Sequence, residues 1–320
     1  MNAFSLDQLT ADARIVHSVL PPTPQICWPL LSARAGCEVW VKHENHLPVG
    51  AFKLRGGVLY MQRLREGQPE VKGLVAATRG NHGQSVAYAG VGAGMSVAIV
   101  VPHDNSPEKN AAMRAQGAEL IEYGDDFQEA LEYAAVIAEG RRLHFVPSFG
   151  PVLVSGVASY ALELFEAVAE LDAVYVPIGL GSGICAVIAA RDALGLKTDV
   201  VGVVSTEAPA YALSFEAGRP VEAKVAPGIA DGMACRVANP EALEIIRKGA
   251  ARLVTVKDAE IREAMRHLFS DTHNVAEGAG AAALAALLKE KDRMRGRKTA
   301  VVLTGGNVDR AVFARVLAGD

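Results

Sequence analysis

Along the chain, short runs of apolar and β-branched residues alternate with longer stretches in which apolar positions return at helical spacing. The short runs predict strands at Glu38–Lys42, Leu74–Ala77, Ser96–Val101, Glu119–Tyr123, Ala173–Pro177, Val200–Val204, Arg252–Val256 and Thr299–Thr304. The longer ones predict helices at Lys53–Arg65, Gln84–Gly92, Pro107–Gln116, Phe127–Glu139, Val154–Glu170, Cys185–Leu194, Ala259–Ser270 and Ala279–Lys289. A sheet with one wet face would show apolar and polar residues in alternation, whereas these strands are apolar on both faces. The pattern therefore predicts an α/β fold with parallel sheets covered by helices on each side.

Proline and glycine interrupt the alternation in HENHLPVG, His43–Gly50, and again in HFVPSFGP, His144–Pro151. With chain crossings at both, residues 46–147 form a small domain inserted into a larger one made of residues 1–45 and 148–320. The active site is then expected in the cleft between them.

Composition narrows the function classes. Half of the 320 residues are hydrophobic and the net charge is −4, with no basic stripe for a phosphate backbone, so nucleic acid is not an expected partner. The first twenty residues mix Asp and Arg into their apolar positions, unlike a signal peptide, and no later run is long and apolar enough for a bilayer. Cys27, Cys37, Cys185 and Cys235 lie far apart and form no metal-ligand or disulfide pattern. A cytoplasmic protein without a structural metal is expected.

Four stretches carry chemistry. In ENHLPVGAFKLRGG, Lys53 begins a helix after a Pro/Gly loop, with Arg55 nearby; a depressed pKa there would make its amine available to a carbonyl, and the alternative is a solvated surface lysine. In VAATRGNHGQ, Gly80, Asn81, His82 and Gly83 follow a strand and offer amides to an anion, or Asn81 simply caps the next helix. The loop VPIGLGSGICAV places Gly179, Gly181 and Gly183 between strand and helix, where amides and the helix dipole suit a phosphate. Its Gly181-x-Gly183-x-x-Ala186 spacing also satisfies a loose dinucleotide fingerprint, with Glu207 at a distance suited to a ribose, so a nicotinamide-dependent oxidoreductase stands as the alternative. Last, VVLTGGNVDRA ends a strand at Thr304, or serves only as a turn capping a final helix through Asn307 or Asp309.

In this order the four stretches resemble the fold-type II pyridoxal-phosphate enzymes, tryptophan synthase β-like in architecture, and most closely the serine/threonine dehydratase and serine racemase branch. The resemblance extends from about Arg14 to Val312 and favours phosphate of this cofactor over a dinucleotide. It implies that Lys53, in FKLRG, carries the cofactor covalently, with Phe52 beside it. It implies that Asn81 meets the ring hydroxyl, and that Gly179, Leu180, Gly181, Ser182 and Gly183 cradle the phosphate. Thr304 stands where the family has a serine at the pyridine nitrogen, Glu277 matches a glutamate near the ring, and Gly232 matches a backbone contact. Thr78, Arg79, Gly80, Asn81 and His82 would form the substrate side, Thr78 and the turn amides holding the carboxylate. The activity implied is β-elimination of a small β-hydroxy amino acid such as threonine or serine: Lys53 takes the Cα proton, the β-hydroxyl leaves, and the released enamine hydrolyses to a 2-oxo acid and ammonia. A homodimer is implied as well.

Three positions depart from that pattern. Racemases of the branch carry a catalytic serine two residues before the asparagine, where this chain has Arg79, and a guanidinium does not exchange a proton near neutral pH. Racemisation by two bases is therefore not expected. At the carboxylate positions of cation-binding members stand Val204 and Ala210, so no metal is expected. The chain also ends at Asp320, soon after the last motif, so no regulatory domain or isoleucine feedback is expected. Arg79 has two readings: it recognises an acidic or modified side chain, as in 3-hydroxyaspartate or an intermediate of compatible-solute breakdown, or it turns away into a salt bridge across the cleft.

Overall fold

The computed structural model describes residues 4–226 and 228–319. Among the described residues ten strands form two sheets: β1 Gln25–Cys27, β2 Glu38–His43, β3 Gly73–Ala77, β4 Ser96–Val101, β5 Glu119–Glu122, β6 His144–Phe145, β7 Ala173–Pro177, β8 Asp199–Ser205, β9 Arg252–Val256 and β10 Lys298–Leu303. The larger sheet has the order β1-β2-β10-β7-β8-β9, and the smaller has β5-β4-β3-β6. All pairings are parallel except that of β1 with β2. The smaller sheet is made wholly of chain lying between β2 and β7, as an insertion in the larger one.

The uninterrupted apolar strands are explained by cores on both faces. In β7, Val174 and Val176 enter one core while Ala173 and Tyr175 enter the other. In β3, Leu74 and Ala76 separate likewise from Val75 and Ala77. A side-chain period of two leaves no solvent face when helices cover each side.

Helix Lys53–Gly67 is tied to the large-sheet side by a buried ion network. Arg55, with no exposed surface, donates from Nε to Glu44 Oε2 at 2.7 Å and from Nη1 to Glu163 Oε1 at 2.5 Å. Lys42 on β2 donates to the other Glu163 oxygen at 2.5 Å. Each charge has an opposite partner, which makes its burial tolerable.

Several elements lie outside the sequence expectation: strands β1 and β6, and helices Leu6–His17, Pro29–Ala35, Ala210–Ala217 and Pro240–Gly249. The segment His144–Pro151, expected as a plain crossing, contains β6 and the first residue of helix Pro151–Ala167. The final helix, Arg310–Ala318, is not capped by the side chain of Asn307 or Asp309. Its Arg310 amide is held by Glu108 Oε1, from helix Pro107–Ala115, at 3.0 Å. No helix among the described residues is long and apolar enough to cross a membrane.

Candidate active site

The carboxyl ends of strands from both sheets converge on one cavity, as open parallel sheets require of a ligand site. After β2, the chain runs through a short loop to Lys53; after β3 it passes Thr78 to Asn81; after β7 it forms Gly179–Gly183; after β10 it reaches Thr304. All of these line a cavity of about 120 Å³, together with Lys109, Asp231, Gly232 and Glu277. The cavity adjoins an outer cleft of about 1010 Å³ that shares Arg79, Lys109, Leu180, Asp231 and Glu277 with it.

Two helices aim their N-termini at this space. Helix Ser182–Ala193 follows Gly181, whose φ of +99° suits glycine, and no side chain caps it. Helix Asn81–Gly92 follows Gly80 at φ +153°, which has no side chain of its own to cap the first turn. The alternative that Asn81 only caps this helix is set aside: its side chain donates to Glu277 Oε1 at 2.6 Å. Uncapped first-turn amides and the dipole make each terminus a receptor for an anion. Thr78 Oγ1 accepts from the amides of Gly80 at 2.8 Å and Gly83 at 3.2 Å. That fixes the turn and takes the Gly80 amide out of the expected carboxylate set, leaving the amides of Asn81 and His82 at the helix end.

The glycine loop is held from behind. Tyr211 donates to the Leu180 carbonyl at 2.9 Å, and Tyr160, edge-on to Phe52, donates to the Gly183 carbonyl at 3.2 Å. A Cβ at Gly179 would overlap the carbonyl oxygen of Gly232, so this pair meets backbone to backbone.

Lys53 Nζ donates to Ser182 Oγ at 3.0 Å and lies 5.3 Å from the Phe52 ring centre. Burial away from water lowers its pKa to about 8. The depressed pKa was expected from neighbouring cations, but Arg55 is engaged with Glu44 and Glu163, and desolvation is the cause. Burial also lowers the His82 imidazole to about 3, with Lys53 adding to the effect, so His82 is neutral; its Nε2 is buried without a partner.

Lys109, which the sequence did not single out, supplies the site's main cation. Its Nζ lies 2.7 Å from Asp231 Oδ2 and 3.3 Å from Glu277 Oε2, joining helix Pro107–Ala115 to the large-sheet side. Burial works against the ammonium, but the two carboxylates outweigh it and raise its pKa. Burial raises the pKa of Glu277, while Lys109 works in the opposite direction. Arg79 does not bridge the cleft: its partner is Asp104, just beyond β4 of the same sheet, at 3.2 Å.

These residues fit pyridoxal phosphate. A poised amine, a glycine cradle with an uncapped helix, an asparagine amide, a buried threonine hydroxyl and an unpartnered imidazole nitrogen surround one cavity. Glu207, the ribose partner in the dinucleotide alternative, lines the outer cleft and not this cavity.

The family of pyridoxal-phosphate dependent enzymes matches residues 17–305, and the chain belongs to it. Within it the protein is an ammonia-lyase type of enzyme, which sets aside the nicotinamide alternative. It is 32% identical over 315 residues to the L-threonine ammonia-lyase of Thermotoga maritima, covering 98% of this chain and 78% of that one. It is 33% identical over 298 residues to an L-threo-3-hydroxyaspartate ammonia-lyase of a Pseudomonas species, covering 93% of each. The match to the biosynthetic threonine dehydratase of Escherichia coli, 33% identical, spans 58% of that protein. Among solved structures, the processed threonine deaminase isoform 2 of Solanum lycopersicum superposes with a TM-score of 0.90 at 28% identity, over 99% of this chain and 95% of that one.

Proposed function

We propose that the protein eliminates water from a small β-hydroxy amino acid such as threonine or serine, giving a 2-oxo acid and ammonia. The observation that carries this reading is Lys53: an amine with a pKa lowered to about 8, set in one cavity with two helix N-termini. In it, Lys53 and Phe52 hold the cofactor's reactive end, Gly179–Gly183 its phosphate, Asn81 its ring oxygen and Thr304 its ring nitrogen, with Glu277 and Gly232 beside the ring. Thr78 and the amides of Asn81 and His82 hold the substrate carboxylate. We further assign residues 46–147 to a small domain and residues 1–45 and 148–320 to a large one, in a cytoplasmic homodimer.

When bound, pyridoxal phosphate supplies a sink for the electron pair left as the Cα–H bond breaks. Lys53, largely desolvated, takes the proton at Cα; its lowered pKa leaves a useful fraction of free amine near neutrality. Thr304 offers a neutral hydroxyl where a carboxylate would enforce positive charge on the ring nitrogen. That restraint favours prompt departure of the β-hydroxyl over a long-lived carbanion. Arg79 stands at the position of the racemase serine, does not give up and recover a proton near neutral pH, and so leaves elimination as the outcome.

Arg79 supports a second reading, an acidic or modified substrate. It lines both cavity and cleft, and it pairs with Asp104, whose side chain is 69% exposed. A substrate carboxylate displacing so exposed a partner would bind with little loss. The test is ammonia release from threonine, serine and 3-hydroxyaspartate by protein loaded with pyridoxal phosphate. Its visible band should bleach with borohydride and be absent in Lys53→Ala. A colourless protein that releases no ammonia from any of the three overturns the proposal.

A further inference from the structure

An asparagine amide can present either a donor or an acceptor, and a ring oxygen that carries negative charge needs the donor. Something must therefore fix which way the Asn81 amide faces. The hydrogen bonds around it form a chain with a single consistent polarity. At one end is the Val49 carbonyl, which only accepts, so the group of Asn307 facing it at 2.8 Å is Nδ2. The second hydrogen of that Nδ2 points to Asn81 at 2.8 Å, so the facing atom there is Oδ1. Asn81 Nδ2 is then turned to Glu277 Oε1 at 2.6 Å, and its second hydrogen is left for the cavity that Asn81 lines.

We infer that Asn307 is a positioning residue: by donating to both the Val49 carbonyl and Asn81 Oδ1, it locks the Asn81 amide with its NH2 toward the cofactor ring oxygen. The inference rests on Asn81 being the ring-oxygen contact. The surroundings are built for this role. Gly50, at φ +67°, has no Cβ, and one placed there would stand 2.8 Å from Asn307 Oδ1. The Gly306 amide donates to the Gly50 carbonyl at 2.9 Å, and the Phe52 amide to the Thr304 carbonyl at 3.0 Å. The loop leading to Lys53 is thus paired with the loop after β10, and Asn307 extends that pairing across to the helix of the smaller sheet. One side chain ties together the three segments that surround the ring.

Asn307→Asp tests the polarity. A carboxylate at 307 cannot donate to Val49, and it competes with Glu277 for the Asn81 NH2; turned toward 307, the amide presents Oδ1 to the cavity and to Glu277, whose raised pKa lets it take up a proton and donate. Without a donor, the ring oxygen and the lysine nitrogen paired with it hold their shared proton more tightly. The pH midpoint of the holoenzyme's visible band should rise by at least about 0.5 units in Asn307→Asp. It should rise in Asn81→Ala as well, and no further in the double variant, while Asn307→Ala, which leaves Glu277 as an acceptor for Asn81, should shift it less. Cofactor affinity by equilibrium dialysis should weaken in the same order. A wild-type midpoint in Asn307→Asp beside a shifted Asn81→Ala overturns the role of Asn307. An unshifted Asn81→Ala instead overturns the assignment of Asn81. If the aspartate variant does not fold, Asn307→Ala decides by whether its shift vanishes in the Asn81→Ala background.

Discussion

Lys53 and Lys109 face the same cavity and differ in everything around the ammonium. Lys53 has Ser182, the Phe52 ring and glycine backbone, and desolvation brings it down to about 8. Lys109 has Asp231 and Glu277, and their charges more than offset its burial. The same side chain in the same cavity becomes a reactive amine in one case and a permanent cation in the other. What separates them is the presence of carboxylates, since both are desolvated.

The comparison breaks hardest at Lys53. Lys53→Ala should lower kcat for elimination by at least about a thousandfold and abolish covalent retention of the cofactor after borohydride. Retained turnover would mean that Lys109, despite its partners, can serve as the amine. The chemical difference should also be visible without turnover. In protein stripped of cofactor, an amine-directed acylating reagent should modify Lys53 with a pH midpoint near 8 and, at neutral pH, favour it over Lys109 by more than about a hundredfold. Equal labelling, located by peptide mapping, would show that burial does not distinguish the two.

Lys109→Met sharpens the other half. It leaves Asp231 and Glu277 without their cation, at an expected cost of about 2 kcal/mol in urea unfolding, reduced because the Asp231 side chain is 32% exposed. Glu277 already has a raised pKa, and losing Lys109 raises it further. A carboxylate whose folded pKa lies above its unfolded value destabilises the fold at high pH and ceases to do so as it protonates. The deficit of Lys109→Met should therefore shrink as pH falls through that raised value. A deficit constant with pH would assign the loss to packing alone.

The contrast between the two lysines was half legible in the sequence. Lys53 stands in a motif whose order along the chain, with Asn81, the glycine loop and Thr304, identified the cofactor and the fold class. The central strands were legible for a related reason, since an apolar run buried on both faces permits few alternatives. Lys109 was missed, and Asn307 was read only as a cap of the final helix, because their partners are remote: 122 residues separate Lys109 from Asp231, and 226 separate Asn307 from Asn81. No local pattern marks such a residue. Strands β1 and β6 were missed because three and two residues are too short to show a period. Helix Pro240–Gly249 is a different kind of omission: Asn239 caps it, Pro240 opens it, and Leu243 and Ile246 share its buried side, all signals present in the sequence.

Arg79 is a third cation at the site and lies between the two lysines in character. Its partner Asp104 is exposed and belongs to the same sheet, so this pair does not tie it across the cleft. Such a pair is worth little in water, and an incoming carboxylate can replace Asp104 with a better aligned contact. If Arg79 reads the substrate side chain, Arg79→Ala should raise KM for 3-hydroxyaspartate roughly tenfold relative to serine, with kcat on serine nearly unchanged. Asp104→Asn should move the ratio the other way, since it removes the competing carboxylate and keeps the arginine. Equal losses on serine, threonine and 3-hydroxyaspartate would instead place Arg79 in the framework of the turn, where its charge serves the smaller sheet and leaves substrate choice to the outer cleft.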